Sequence, residues 1–194
     1  DTMGAVGTGA LGQDNEQFIR RREIPYAAAV LGPAYGTACW FTQLSDFVAM
    51  RKGGVLAVSS PRVTEIAIKE KVDPEALGGW KMQSEVTGKV DYATDTDEEA
   101  IDLIKKFLSY LPSHSNQRPP VAPVPQGSGD TAKDILKIVP SERQKVYDMR
   151  KVVAAFSDND SVFELKPRFA RPATTALARI NGQTVGYVCT NPLF

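Results

Sequence analysis

The stretch Ile24–Met50, IPYAAAVLGPAYGTACWFTQLSDFVAM, decides how the rest of the chain is read. Tyr26–Leu31 is a short apolar run between Pro25 and Gly32, the pattern of a strand buried on both faces. Gly32-Pro33 breaks that strand, and the small residues Gly36-Thr37-Ala38 lead into an apolar helical segment. A strand, a glycine-bearing turn and a helix in succession leave backbone N–H groups without partners at the helix start, where the helix dipole is positive. Such a place suits a developing negative charge. It forms an oxyanion hole from main chain alone, which demands small residues rather than particular side chains. Gly36 and Ala38 equally permit close packing of a helix on a sheet, and the residues by themselves leave both readings open.

Composition sets the outer limits. The chain has 194 residues, 42% of them hydrophobic, with 23 basic and 23 acidic side chains, enough for one good-sized domain or two small ones. Balanced charge without a basic, aromatic-laced stripe gives no argument for nucleic acid, and no run approaches the length of a membrane span. No charged-then-apolar leader is present. Cys39 and Cys189 stand at no metal-ligand spacing and are expected to be reduced and buried, as in an intracellular protein. His114 is the single histidine and lies in a Ser/Pro-rich stretch, which argues against a histidine base, a Ser–His–Asp triad or a histidine-rich metal site; no metal is expected.

Working outward, Asp1–Gly12 is almost all small residues, either a flexible tail or a backbone built for close approach. Asp14 with Gln17 opens a helix that Arg20-Arg21-Arg22 ends. Past the central stretch, Val55–Val58 reads as a buried strand. Ser60-Pro61 starts a helix running through Arg62–Glu70, and Asp73-Pro74-Glu75 starts another. Thr96 with Glu99 is a capping box before a helix whose Ile101, Ile104, Leu108 and Leu111 form the expected buried face, stopped by Pro112. Residues 113–130, with four prolines and then Gly127-Ser128-Gly129, read as a linker. Ser141 with Gln144 is a third capping box. The helix expected after it carries Val146, Met149, Val152, Val153 and Phe156 on one face and stops at Asp158-Asn159-Asp160. Val162, Phe163 and Leu165 are a strand fragment. Asn181-Gly182 between Thr175–Ile180 and Thr184–Cys189 is a strong hairpin signal.

Several of these runs resemble the crotonase superfamily, and more closely the carboxyltransferase (β) subunits of biotin-dependent acyl-CoA carboxylases of the propionyl-CoA carboxylase type. Gly32-Pro33-Ala34-Tyr35-Gly36-Thr37-Ala38, followed by the apolar helix and Asp46-Phe47, is similar to that family's G-P-x-A-G-G-A run, with Thr37 in place of a second glycine. Asp1-Thr2-Met3-Gly4-Ala5-Val6 is similar to D-S-G-G-A-R, departing at Met3 and Val6. Leu77-Gly78-Gly79-Trp80 with Glu85–Asp91 resembles an L-G-G…H…S-G…D segment, with Gln83 near the histidine position, and Phe107–Pro112 reproduces F-L-S-Y-L-P. Tyr147-Asp148-Met149 and Val185–Pro192 resemble the opening of the family's second domain.

The resemblance implies an α/β, crotonase-like ββα superhelix. Residues 1–112 would be part of a first, acyl-CoA-binding domain, 113–130 a linker and 131–194 the start of a second similar domain. It implies the middle of a longer protein, inactive in carboxyl transfer on its own, because the carboxybiotin side of the active site belongs to the rest of that second domain. The implied reaction moves a carboxyl group from carboxybiotin to the α-carbon of a short acyl-CoA through an enolate. The backbone amides of Gly4, Ala5, Gly36 and Thr37 would form the oxyanion hole. Ala34, Tyr35, Ala38, Gly78 and Gly79 would shape the substrate wall, where Trp80 reads equally as a core residue. The arginine triplet is then either a solvated helix end or a contact to CoA phosphates. The implied partners are acyl-CoA, a biotin-bearing carrier or biotin carboxylase subunit and further copies of the chain, in the cytoplasm or, in a eukaryote, the mitochondrial matrix. A decarboxylase of the same fold and a non-catalytic acyl-CoA-binding or assembly element are the alternatives.

Overall fold

The computed structural model describes residues 19, 20 and 23–194. Gly4, Ala5, Met3, Val6 and most of the helix expected from Asp14 lie outside the described residues; Ile19 and Arg20 are helical. The chain divides into two compact units: one runs to Leu108 and includes Pro112–Gln117, and the other comprises Ser109–Leu111 and Arg118–Phe194.

In the first unit strands alternate between two small sheets. β1 (Ala27–Val30), β3 (Phe47–Arg51) and β5 (Tyr92–Thr94) form a parallel sheet in the order β1-β3-β5, while β2 (Pro33–Tyr35) and β4 (Val55–Ala57) pair in parallel as a second sheet. After each pair comes helix: α1 (Thr37–Gln43) after β1 and β2, then α2 (Pro61–Ile68) and α3 (Pro74–Gly78) after β3 and β4. A π-helical turn, Met82–Val86, precedes β5, and α4 (Asp97–Leu108) follows it. This repeated strand–strand–helix coil is the α/β superhelix of the crotonase-like proteins. Parallel pairing obliges each return to cross over, and the helices are those crossovers.

Local chemistry explains the elements. Ser60 accepts the Val63 N–H and Asp73 accepts those of Glu75 and Ala76, so α2 and α3 begin where their caps and following prolines dictate. The Thr96–Glu99 capping box closes in both directions, Thr96 Oγ1 accepting the Glu99 N–H at 3.1 Å and Glu99 Oε2 accepting the Thr96 N–H at 3.4 Å. β3 is the central strand, with Phe47–Met50 fully buried, and Asp91 locks it by accepting the Val48 N–H at 2.9 Å.

Four expectations for this unit change. The strand expected at Tyr26–Leu31 shortens to β1 and is only partly buried, since it is the edge of its sheet among the described residues and faces a neighbour on one side alone. The helix after Gly36 ends at Gln43, and Phe47 onward is strand. Pro33–Tyr35, read as a break, pairs with β4. On α4 the buried stripe is Ala100 and Phe107, with Ile101 and Leu108 exposed. Apolar residues occur on adjacent stripes of this helix, and stacking of Phe107 on Phe47, with centroids 4.8 Å apart, decides between them.

The second unit is built on an antiparallel sheet, β6 (Phe163–Leu165), β7 (Ala173–Ile180) and β8 (Gln183–Thr190), in that order. The hairpin turn Asn181-Gly182 takes positive φ at both residues, 50° and 76°, as a two-residue turn of the twist-matching type requires. Asp158 caps it, accepting the amides of Asn181 at 3.0 Å and Gly182 at 2.7 Å. A 3₁₀ turn (Asp130–Asp134), α5 (Ile135–Ile138) and α6 (Met149–Phe156) precede the sheet. Ser141–Gln144 forms no helix. Asp148 is the working N-cap, its Oδ1 accepting the Arg150 N–H, and Asn191 accepts the Met149 N–H and fixes that end to the hairpin. Val153 and Ala155 are the buried residues of α6, whereas Val146 lies outside it and Phe156 is exposed. Residues 118–130 of the proline-rich stretch fold with this unit. Ala122 N–H reaches Gly182 O, and Gln126 O and Ser128 Oγ accept from Asn159. Tyr110, extending beyond α4, is buried here, donating to Ser161 O at 2.6 Å under the Arg179 guanidinium.

Among the described residues no helix is long and apolar enough to cross a membrane.

Candidate functional site

Gly36 is the hinge on which the first unit's candidate site is built. Its φ of 57° and ψ of −123° turn the chain from β2 into α1, a conformation that glycine adopts without strain. Its N–H donates to Val58 O at 3.0 Å, which joins the start of α1 to the end of β4. Gly36 is therefore a geometric pivot whose own amide is engaged. The next two amides, Thr37 and Ala38, stand at the start of α1, where no side chain caps the helix.

Beside this junction lies a cavity of about 540 Å³. Cys39 and Trp40 of α1, Leu56 and Ala57 of β4 with Val58 just past it, Leu77 and Gln83 form its walls, together with the exposed Lys89. The lining is mostly apolar, with a few polar groups, the usual character of a small-molecule pocket. Burial pushes the Cys39 thiol upward, opposed only in part by the Lys89 ammonium, so this sulfur stays protonated and is no ready nucleophile. Among the described residues no group of three or more His, Cys, Asp or Glu is placed to hold a metal ion.

The residues singled out from sequence are distributed around this centre. Gly36, Thr37 and Ala38 make the turn and the helix start. Ala34 and Tyr35 lie on β2, in register with Leu56 and Ala57, and Ala34 packs against the core cluster behind the cavity. Gly78 abuts β4: a Cβ there would run into the Leu56 carbonyl oxygen and come within 2.8 Å of its carbon. Its smallness serves helix-to-strand contact, as does that of Gly79 against the Glu75 side chain. Trp80 packs against the core cluster, with the ammonium groups of Lys52 and Lys81 5.2 and 5.5 Å from its ring centre. Cys39, Leu56, Val58, Leu77 and Lys89 were not readable as wall residues, because the fold brings them together from α1, β4, α3 and the segments after β4 and before β5. Gln83 carried a signal, as a polar residue where the resemblance expects histidine.

Comparison with known proteins follows the same line. A family model described as "Carboxyl transferase domain" matches residues 6–193. The propionyl-CoA carboxylase carboxyltransferase subunit of Haloferax mediterranei is 32% identical over 99% of this chain and 39% of its own length. The methylmalonyl-CoA decarboxylase subunit alpha of Veillonella parvula is 31% identical over 87% of this chain and 33% of its own length. Among solved structures, the transcarboxylase 12S hexamer with hydrolysed methylmalonyl-coenzyme A bound superposes with a TM-score of 0.81 at 28% identity, covering 92% of this chain and 36% of that one. The chain thus spans between about a third and two fifths of the length of these relatives.

Proposed function

The chain belongs to the carboxyl transferase domain family, and on that premise we propose that it forms the acyl-CoA side of a carboxyltransferase in an acyl-CoA carboxylase. The observation that carries this reading is the cavity walled by α1 and β4 beside the uncapped amides of Thr37 and Ala38. In the proposed reaction the carboxyl group passes from carboxybiotin, borne on a partner carrier protein, to the α-carbon of a short acyl-CoA. The chain's own work is to seat the thioester so that its oxygen meets main-chain N–H donors as the α-carbon loses its proton, which balances on the biotin nitrogen that gives up the carboxyl group. Negative charge then grows on that oxygen, and a preorganised donor in a water-poor site typically lowers the barrier by about 3 kcal/mol. Gly4 and Ala5 are proposed to supply the other amides, and Gly36 the turn that aims those of Thr37 and Ala38. Lys89 offers a positive charge to a phosphate-bearing substrate. Partner carrier subunits, self-assembly and a cytoplasmic or mitochondrial matrix location belong to the same proposal.

The test follows propionyl-CoA in D2O with the full protein that carries this chain, measuring deuterium entry at the α-carbon and then transfer from carboxybiotin. Absence of both binding and exchange would sink the reading. A decarboxylase is the second reading, supported by the similarity to the Veillonella protein. It is favoured if methylmalonyl-CoA loses CO2 while propionyl-CoA gains none.

A further inference from the structure

Gln83 is a buried amide whose two ends are both engaged: Nε2 donates to Leu56 O at 2.6 Å, and Oε1 accepts from Thr87 Oγ1 at 2.7 Å. It sits on the π-helical turn Met82–Val86, closed by Thr87 N–H to Met82 O at 2.9 Å. That turn places Gln83 and Thr87, four residues apart, on the cavity wall. Extra-residue turns of this kind inside helices commonly re-aim a side chain.

The carbonyl it holds belongs to β4, and two residues on, Val58 O accepts the Gly36 N–H. We infer that Gln83 is a positioning residue: through Leu56 it fixes the end of β4, and through Val58 it fixes the Gly36 pivot that aims the Thr37 and Ala38 amides. It acts at one remove, since its polar atoms bond to the Leu56 carbonyl and the Thr87 hydroxyl. Gly78 crowds the same Leu56 carbonyl, because any Cβ there would push it away. The Leu56 carbonyl is thereby hydrogen-bonded to Gln83 and packed against α3 with no spare room.

This inference rests on the proposed function, and its test separates the two. In the full protein, Gln83→Met keeps the length of the side chain and removes both hydrogen bonds. Exchange of the propionyl-CoA α-proton is expected to fall by about ten- to a hundredfold in kcat, the loss that follows when donors are misplaced by a fraction of an ångström to an ångström. The Kd for propionyl-CoA is expected to change by less than about threefold, because the cavity wall keeps its apolar residues. Gln83→His, which retains an N–H able to reach Leu56 O, is expected to restore most of the rate. Thr87→Val removes the outer hydrogen bond, together with the two weaker 3.3 Å contacts of the same hydroxyl to the Gln83 carbonyl and the Lys89 N–H, but leaves the bond to Leu56 O; it should give a smaller loss in the same direction, which covers the case of a Gln83 variant that fails to fold. A full rate in Gln83→Met, a change in Kd alone, or a Gln83→His no better than methionine each overturns the inference while leaving the proposed function standing. A wild-type protein that exchanges no α-proton overturns the proposed function, and the catalytic meaning of Gln83 with it.

Discussion

Gly78→Ala probes how tightly α3 is seated on β4. The added Cβ would lie inside the contact distance of the Leu56 oxygen, 2.8 Å from the Leu56 carbonyl carbon and 3.2 Å from Ala57 Cβ. Ordinary contact begins at 3.4 Å, so helix or strand has to give by more than half an ångström. β4 cannot retreat cheaply. Leu56 is 1% exposed, its strand is paired with β2, and Gln83 holds its carbonyl. Overpacking of this kind costs about 1–3 kcal/mol, and a stretched buried hydrogen bond adds about 1 kcal/mol. The expected loss is therefore about 2–4 kcal/mol, read from urea unfolding followed by the fluorescence of Trp40 and Trp80. The control is Gly79→Ala, whose Cβ meets only the movable Glu75 carboxylate and which is expected to lose less than about 1 kcal/mol. Equal losses in the two variants, or a Gly78→Ala protein within about 0.5 kcal/mol of wild type, would refute the reasoning.

Other outcomes follow from the same geometry. Gly36→Ala puts a Cβ into a positive-φ conformation and is expected to cost about 1–3 kcal/mol, with a loss of α-proton exchange larger than the change in acyl-CoA affinity; unaltered exchange would count against the pivot. Asp158→Ala strips the hairpin turn of two charge-assisted bonds and is expected to lower stability by about 2–3 kcal/mol in denaturant melts, with Asp158→Asn recovering part of it. Burial raises the Cys39 pKa, so at a given pH it holds less thiolate than an ordinary cysteine. Its alkylation by iodoacetamide should be slow at pH 8, rise with pH and be slowed further by propionyl-CoA; fast alkylation at pH 8, or none of that protection, would argue against a buried thiol on the cavity wall.

Much of the architecture was legible because it is local. Ser60-Pro61, Asp73-Pro74 and the Thr96–Glu99 pair announce helix starts through bonds made within three residues, and Asn181-Gly182 announces a turn only such residues enter easily. What was misread depended on distant partners. Phe47–Met50 is as apolar as the helix before it, and it becomes strand by lying between β1 and β5. Ser141–Gln144 has the letters of a capping box, yet Asp148 wins because Asn191, far along the chain, fastens that end. At the candidate site the Gly36 turn was visible in the sequence, as was the oddity of Gln83. The link between them runs through Leu56 and Val58, and sequence spacing carries no trace of it.

The alternation of strands between two parallel sheets also sets an order of assembly. In β7–β8 the first contacts join Ile180 to Gln183, so the hairpin closes a minimal loop and its formation is fast. In the first unit Ala27 must find Phe47, and Ala49 must wait for Tyr92, so the central strand Phe47–Met50 gains its second neighbour only after a long loop has been closed. During synthesis that apolar strand is made well before Tyr92. It is the segment most exposed to wrong pairing, and variants that slow the closure should fail first as aggregates rather than as inactive soluble protein.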